Sequence, residues 1–162
     1  MSPIIRLLGP GDASVLDNVA PDVFDDPIDR ERADEFLADP RHHLVVAVAD
    51  GQVVGFVSAF HCVHPDKSRP QLWINEIAVA PPYQGQGIGR RLMERLLDRG
   101  RELGGRKAWV GTERSNLAAR RLNAAAGGVE EPEDFVIVEF DRGEAESAPY
   151  FPANKPGPSP NC

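Results

Sequence analysis

A glycine-rich stretch at residues 84–89 is suited to holding an anion, because it follows an apolar run and precedes a helical pattern. Glycines let the backbone approach a phosphate closely, and the first amides of a helix lack backbone acceptors and carry partial positive charge. The positions of Gly85, Gly87 and Gly89 do not match the G-x-G-x-x-G dinucleotide fingerprint, and no Walker A ending of Gly-Lys-Ser/Thr follows. A phosphate-binding turn of another kind remains, beside the alternative of a glycine-rich turn without a ligand.

One acidic residue, Glu76, lies inside the otherwise apolar run of residues 72–80. A carboxylate in such surroundings must be satisfied by a partner or used in chemistry. As a functional residue, Glu76 would be a general base that takes a proton from a reacting group. As a structural residue, it would pair with Arg69 or Arg114.

Two acidic pairs, Asp25-Asp26 and Glu133-Asp134, offer charge-assisted hydrogen bonds to ammonium groups. The net charge of −7 allows a cationic partner and argues against a nucleic-acid binder, which normally presents a basic surface. The alternative for Asp25-Asp26 is the capping of a helix. The alternative for residues 130–134 is a solvated turn.

The sequence argues against a metal site, a disulfide framework and a membrane span. In the segment His61-Cys62-x-His64, neighbouring side chains on a strand point to opposite faces and no second ligand cluster follows, so we predict no metal. His42-His43 is expected at the surface. The cysteines, Cys62 and Cys162, suggest a reducing compartment. No apolar run reaches the roughly 20 residues of a spanning helix, and no signal-like stretch follows the first residues, so a cytoplasmic protein is expected.

The elements that position these residues alternate between strands and helices around one sheet, which predicts an α/β or α+β fold. Hydrophobic periodicity and turn residues predict strands at residues 4–8, 44–49, 53–63, 72–80, 107–112 and 135–140, and helices at 12–19, 29–39, 88–103 and 116–126. Asp50-Gly51 predicts a hairpin turn. We expect one domain at residues 1–142 and a proline-rich tail at 143–162 that is disordered or lies along the surface.

Two segments of the chain resemble the GNAT superfamily of N-acetyltransferases. The run of residues 73–83 with Gln84-x-x-Gly87-x-Gly89 resembles motif A, and residues 116–127 resemble motif B. The resemblance covers roughly residues 4–141. It implies acetyl-CoA as co-substrate and a mixed, splayed sheet of about six to seven strands flanked by helices. The fourth and fifth strands of such a sheet part to admit the pantetheine arm, and homodimers are frequent.

The resemblance also implies roles for individual residues. Glu76 would be the catalytic base. The backbone of Ile77 and Val79 would pair with the pantetheine and acetyl groups, and Asn116 would face the pantetheine. Many members carry a tyrosine acid where this chain has Asn123, which cannot supply a proton at neutral pH. Water would then protonate the leaving thiolate, or the thiolate would be stabilised electrostatically, or the chain would be inactive. The implied cofactor-binding residues are Ile77, Ala78, Val79, Gln84, Gly85, Gln86, Gly87, Ile88, Gly89, Arg90, Asn116 and Asn123.

A narrower resemblance concerns the acceptor. Phe24-Asp25-Asp26-Pro27, the acid at Glu76 and the short stretch after Gly127 resemble the type I aminoglycoside 3-N-acetyltransferases. This implies acetylation of the 3-amino group of a cationic aminoglycoside, an antibiotic-resistance activity. The expected substrate-binding residues are Asp25, Asp26, Glu133 and Asp134. The alternatives are another amine, such as a polyamine or a protein N-terminus, and a non-catalytic acetyl-CoA sensor.

Overall fold

The computed structural model describes residues 2–132, 138 and 140. Within them, five strands form one sheet in the order β1-β2-β3-β4-β5. The strands are β1 (Ile4–Leu8), β2 (His42–Ala49), β3 (Gln52–Cys62), β4 (Gln71–Val79) and β5 (Ala108–Val110). The helices are α1 (Arg30–Ala38), α2 (Ile88–Glu102) and α3 (Leu117–Ala125), with short 3-10 turns at Ala13–Asp17 and Pro81–Tyr83.

The sheet is mixed, as the family resemblance implied. Strands β1 to β4 pair antiparallel, and β5 joins β4 in parallel after the crossover through α2. Asp50 and Gly51, at φ 49° and 77°, form the predicted hairpin turn between β2 and β3. No helix among the described residues is both long enough and apolar enough to cross a bilayer.

The two faces of the sheet are covered by different helices. Helix α2 buries Ile88, Leu92 and Leu96 against one face, which we call the α2 face. A methyl group added at Gly55 of β3 would lie 3.4 Å from Leu92, so the odd-numbered residues of β3 from Gly55 onward belong to this face. The other face, the α1 face, carries the even-numbered residues of β3 from Phe56 onward. Helix α1 covers part of it, because Phe36 stacks on His42, the register partner of Phe60.

A β-bulge in β4 changes which side chains share a face. Ser58 of β3 lies opposite Glu76, whereas the next residue, Ala59, lies opposite Ile74, so Asn75 is the extra residue. Strict alternation would place Ile74 and Glu76 on one face. The bulge instead leaves Ile74 on the α2 face and turns Glu76 to the α1 face. Glu76 therefore shares its face with Ala78.

Several predicted elements require correction. The expected sheet of six to seven strands has five within the described residues, and the strand predicted at 135–140 falls largely outside them. The predicted domain end and the tail at 143–162 lie outside them as well. The helix predicted at 12–19 is the short 3-10 turn Ala13–Asp17. Asp12 does not cap it, because its carboxylate accepts the Gly9 amide 3.0 Å away.

Candidate functional site

The sheet opens between β4 and β5. The two strands pair only from Leu72 to Ile74, against Ala108–Val110, and β4 then continues to Val79 with no strand partner on that side among the described residues. Ala80 N–H donates to Val54 C=O of β3 at 2.9 Å. Because backbone groups alternate in direction along a strand, those of Ile77 and Val79 point to the open edge. The predicted splay is confirmed.

The glycine-rich loop at the end of β4 presents a run of unpaired amides. The first backbone bond of α2 runs from Arg91 N–H to Gly87 C=O at 3.1 Å. The amides of residues 85–90 precede it and have no acceptor within the described part of the chain. Together with the positive end of the α2 dipole, they form a site suited to a phosphate.

Glycine is required in this loop for two different structural reasons. Gly85 and Gly87 have φ of 73° and 76°, a left-handed conformation that glycine adopts without strain. Gly89 lets α3 approach, because a methyl group there would lie 3.3 Å from Leu122. Ile88 is only 2% exposed, so its side chain belongs to the core. Ile88 was predicted to bind the cofactor, and only its backbone amide is available to do so.

The charged and polar side chains around the loop are already engaged. Gln84 donates to the Val79 carbonyl at 2.9 Å. Arg90 is exposed and pairs with Glu94 at 2.7 Å. Arg91 donates instead to the Pro3 carbonyl at 2.9 Å, so its charge is turned toward the start of β1.

Helix α3 carries the two asparagines singled out by the sequence. The Asn116 carboxamide oxygen accepts the Ala119 amide at 3.0 Å and caps the helix. Asn116 therefore has a structural role as the cap of α3. Asn123 is partly exposed, and its carbonyl accepts the Gly128 amide at 2.8 Å at the end of the helix.

Glu76 and the Asp25-Asp26 loop lie on the same face of the sheet. Phe24 stacks on Phe56 with ring centroids 4.0 Å apart, and Phe56 is the register partner of Ala78. The stack therefore holds the acidic loop over the α1 face, beside the strand that carries Glu76. Both aspartates are exposed.

Asp25 and Asp26 do not cap helix α1. Asp29 does, since its carboxylate accepts the Arg32 amide at 3.1 Å. The capping interpretation of the aspartate pair is thus excluded for α1.

The second acidic segment, residues 130–134, lies partly inside and partly outside the described residues. Glu130 forms a two-pronged ion pair with Arg120, at 2.7 and 3.0 Å, and these hydrogen bonds hold the pKa of its carboxyl below the usual range. Glu133 and Asp134, predicted to bind substrate, lie outside the described residues.

His43 was expected at the surface, but it is only 3% exposed. Its Nε2 lies 2.9 Å from Nδ1 of His61 on the α2 face. The pKa of His43 is lowered to about 4, mainly by burial and to a smaller extent by the nearby His61 and Arg99. Among the described residues, no three histidine, cysteine or acidic side chains come together as metal ligands.

Residues 14–127 match the acetyltransferase (GNAT) family. The chain belongs to this family. The open edge of β4 and the glycine-rich loop at residues 84–90, which we call the amide loop, therefore belong to a member of an acetyltransferase family.

The chain is similar to several acetyltransferases. It is 34% identical over 106 residues to the N-alpha-acetyltransferase RimI of Mycobacterium tuberculosis, covering 65% of this chain and 63% of that one. It is 32% identical over 118 residues to streptothricin acetyltransferase of Streptomyces lavendulae, covering 70% and 58%. The solved aminoglycoside acetyltransferase AAC(6′)-Iy shares the fold, with a TM-score of 0.71 at 20% identity, over 87% of this chain and 99% of that one. The chain spans less than two thirds of the length of both sequence relatives.

Proposed function

We propose that this chain transfers the acetyl group of acetyl-CoA to a primary amine of a cationic small molecule, the 3-amino group of an aminoglycoside. One observation carries the proposal. Strand β4 presents an open backbone edge that leads into the amide loop, and the same strand presents Glu76 on the face that holds the acidic loop. A path for the cofactor and a site for an amine therefore adjoin one strand.

The residues of β4 and α2 fit acetyl-CoA. The outward N–H and C=O of Ile77 and the N–H of Val79, with Ala78 between them, offer strand-like hydrogen bonds to a pantetheine arm, whereas the Val79 carbonyl accepts from Gln84. The amides of residues 85–90 offer donors to a pyrophosphate. Arg90 is exposed beside the loop, where it would exchange its ion pair with Glu94 for a phosphate. Acetyl-CoA, when bound, supplies an acetyl group activated as a thioester.

Glu76 is proposed as the general base. An ammonium group must lose a proton before its nitrogen can attack a carbonyl, and a carboxylate close to the reacting centre takes that proton directly or through water. Glu76 is partly exposed and lies on the α1 face, opposite Ser58, which is 8% exposed. Asp25 and Asp26 hold other ammonium groups of the same acceptor through charge-assisted hydrogen bonds.

Asn123 is proposed to orient the leaving sulfur. Its carboxamide donates a hydrogen bond but has no proton to transfer at neutral pH. Water then protonates the thiolate. Asn123→Tyr therefore tests whether an added acid at this position increases the rate.

A screen for thiol release from acetyl-CoA tests the proposal. Gentamicin, spermidine and a short peptide with a free N-terminus serve as acceptors. Gentamicin should gain one acetyl group by mass spectrometry, at the 3-amino nitrogen by NMR. Turnover of spermidine or the peptide alone would assign the chain to another amine. Acetyl-CoA binding without turnover of any amine would favour a sensor.

A protein N-terminus is the second candidate acceptor. The observation that favours it is the 34% identity to RimI, which is named for N-alpha acetylation. The acidic loop distinguishes the two candidates. Neutralising Asp25 and Asp26 should weaken a polycationic acceptor strongly and a peptide with one ammonium group much less.

A further inference from the structure

A row of aromatic side chains crosses the α1 face next to Glu76. The register pairs His42 with Phe60, Phe60 with Trp73, and Trp73 with Trp109, so the row runs across β2, β3, β4 and β5. Paired residues share a face, and Phe60 belongs to the α1 face. We call these four side chains the aromatic row. The adjacent pair along β3 and β4 is Ser58 and Glu76.

The row is closed at one end and accessible at the other. Phe36 of α1 stacks on His42 with centroids 4.6 Å apart. Phe60, Trp73 and Trp109 are partly exposed. The two tryptophans lie where β4 and β5 still pair, immediately before the strands part. The accessible end of the row is thus beside the splay.

Trp109 already accepts a cation. The ammonium nitrogen of Lys107 lies 5.6 Å from the centre of its ring. Aromatic faces attract ammonium groups, and they also pack against apolar surface. Neighbouring strands are about 4.8 Å apart, so two indoles on adjacent strands present a surface about as wide as a six-membered ring.

We propose that the accessible end of the aromatic row binds the ring of the acceptor and selects amines carried on a saturated ring, such as an aminocyclitol, over linear amines. The inference rests on the proposed amine acetylation and specifies its acceptor. The C–H face of the ring packs on Trp73 and Trp109, and its amines are directed along the α1 face toward Glu76. A linear diamine of equal charge gains little from a flat surface and loses more rotational freedom.

Tryptophan fluorescence tests the row without relying on catalysis. The chain has two tryptophans, and both belong to the row. The probes are 2-deoxystreptamine and 1,3-diaminopropane, which share the spacing of their amines and differ in the ring. The ring diamine should shift or quench the emission at concentrations where the linear diamine has no effect. The Trp73→Phe and Trp109→Phe variants each retain one reporter and should both respond.

Substitutions then separate stacking from simple charge. Trp109→Leu should raise the Kd of 2-deoxystreptamine about tenfold and that of 1,3-diaminopropane less than twofold. Lys107→Ala frees the Trp109 face from its resident cation, so it should tighten the ring diamine about two- to fivefold, and more than the linear one. Calorimetry provides the affinities, and retained protection by acetyl-CoA shows that the variants fold.

The outcomes distinguish this inference from the proposed function. Equal responses to both diamines, or no response to either, would overturn the role of the row, whether or not an amine is acetylated. A selective response to the ring diamine supports the row, even where thiol release fails and the transferase proposal is lost. An equal loss of affinity for both diamines in Trp109→Leu would mean that Trp109 has only a structural role.

Discussion

The ring of Phe24 lies on the ring of Phe56, with centroids 4.0 Å apart and planes within 12° of parallel. Phe56 is the register partner of Ala78, two residues along β4 from Glu76. The stack therefore ties the acidic loop that follows Phe24 to the strand of the proposed base. In the proposed mechanism, this contact holds the loop assigned to the acceptor beside the residue assigned as the base.

We expect the double variant Asp25→Asn, Asp26→Asn to raise KM for a polycationic acceptor more than it lowers kcat. The two carboxylates hold ammonium groups away from the reacting nitrogen, and such uniform binding appears mainly in KM. Steady-state kinetics with gentamicin provides the measurement. Asp22→Asn with Asp50→Asn is the control, since it removes the same charge at exposed positions of positive φ, which asparagine tolerates. An equal rise of KM in the control would mean that net charge, and not the position of Asp25 and Asp26, causes the effect.

Acetyl-CoA should protect the protein against heat through the amide loop. Binding to the native state alone contributes about 2.7 kcal/mol at 100 times Kd. Gly87→Glu should abolish the thermal shift, because it places a carboxylate among the amides that would bind phosphate. Gly104→Glu is the matched control: Gly104 also has positive φ, at 81°, with open space around it, but it lies beyond the far end of α2. A full thermal shift in Gly87→Glu would remove the loop as the phosphate site.

The sequence was sufficient for the elements whose signals are local. The amide loop follows from Gly85, Gly87 and an amphipathic helix, and the hairpin from Asp50-Gly51. The start of α1 was predicted at residue 29, where the cap is now seen. Each of these depends on neighbours within a few positions.

Other features depend on pairing between distant segments, which no local pattern encodes. The bulge at Asn75 is defined only by the register of β3 against β4. The burial of His43 depends on α2 covering that face of the sheet. The contact of Phe24 with Phe56 joins segments more than 30 positions apart, so the acidic loop could be suspected of binding but not located.

His43 should make the protein less stable as the pH falls. Its pKa is lowered from 6.5 to about 4 on folding, so the unfolded chain binds more protons between these values. Stability is therefore fully present above pH 6.5 and is lost as the pH falls toward 4. At pH 5 the loss is at most about 2 kcal/mol. Urea unfolding at pH 7 and pH 5 measures it.

The matched variants for this prediction are His43→Gln and His64→Gln. Glutamine at position 43 keeps a hydrogen-bonding group for His61 but does not titrate, so the difference between pH 7 and pH 5 should shrink. His64 is exposed and pairs with Asp66, so His64→Gln measures separately what a surface histidine ion pair contributes to the difference between pH 7 and pH 5. An unaltered pH dependence in His43→Gln would assign it to other groups, such as His61, whose pKa is also lowered by burial.

Glu76→Gln should lower kcat by about 10²–10⁴-fold, the usual contribution of a general base, and leave the affinity for acetyl-CoA little changed. The affinity is retained because the backbone groups assigned to the cofactor are those of Ile77 and Val79, which point to the open edge while Glu76 lies on the α1 face. Thiol release measured at saturating acetyl-CoA provides kcat. Glu113→Gln, an exposed acid in the segment after β5, is the control and should stay near wild type.

The pH dependence of this loss distinguishes proton abstraction from positioning. At high pH more of the acceptor amine is already neutral, so a base contributes less and the ratio of wild-type to Glu76→Gln kcat should fall. A carboxylate that only positions the amine still accepts an N–H bond from the neutral amine, so the ratio should then stay close to constant. A constant ratio, or a loss under about fivefold at neutral pH, would therefore assign Glu76 to positioning and leave the base to be sought elsewhere on the α1 face.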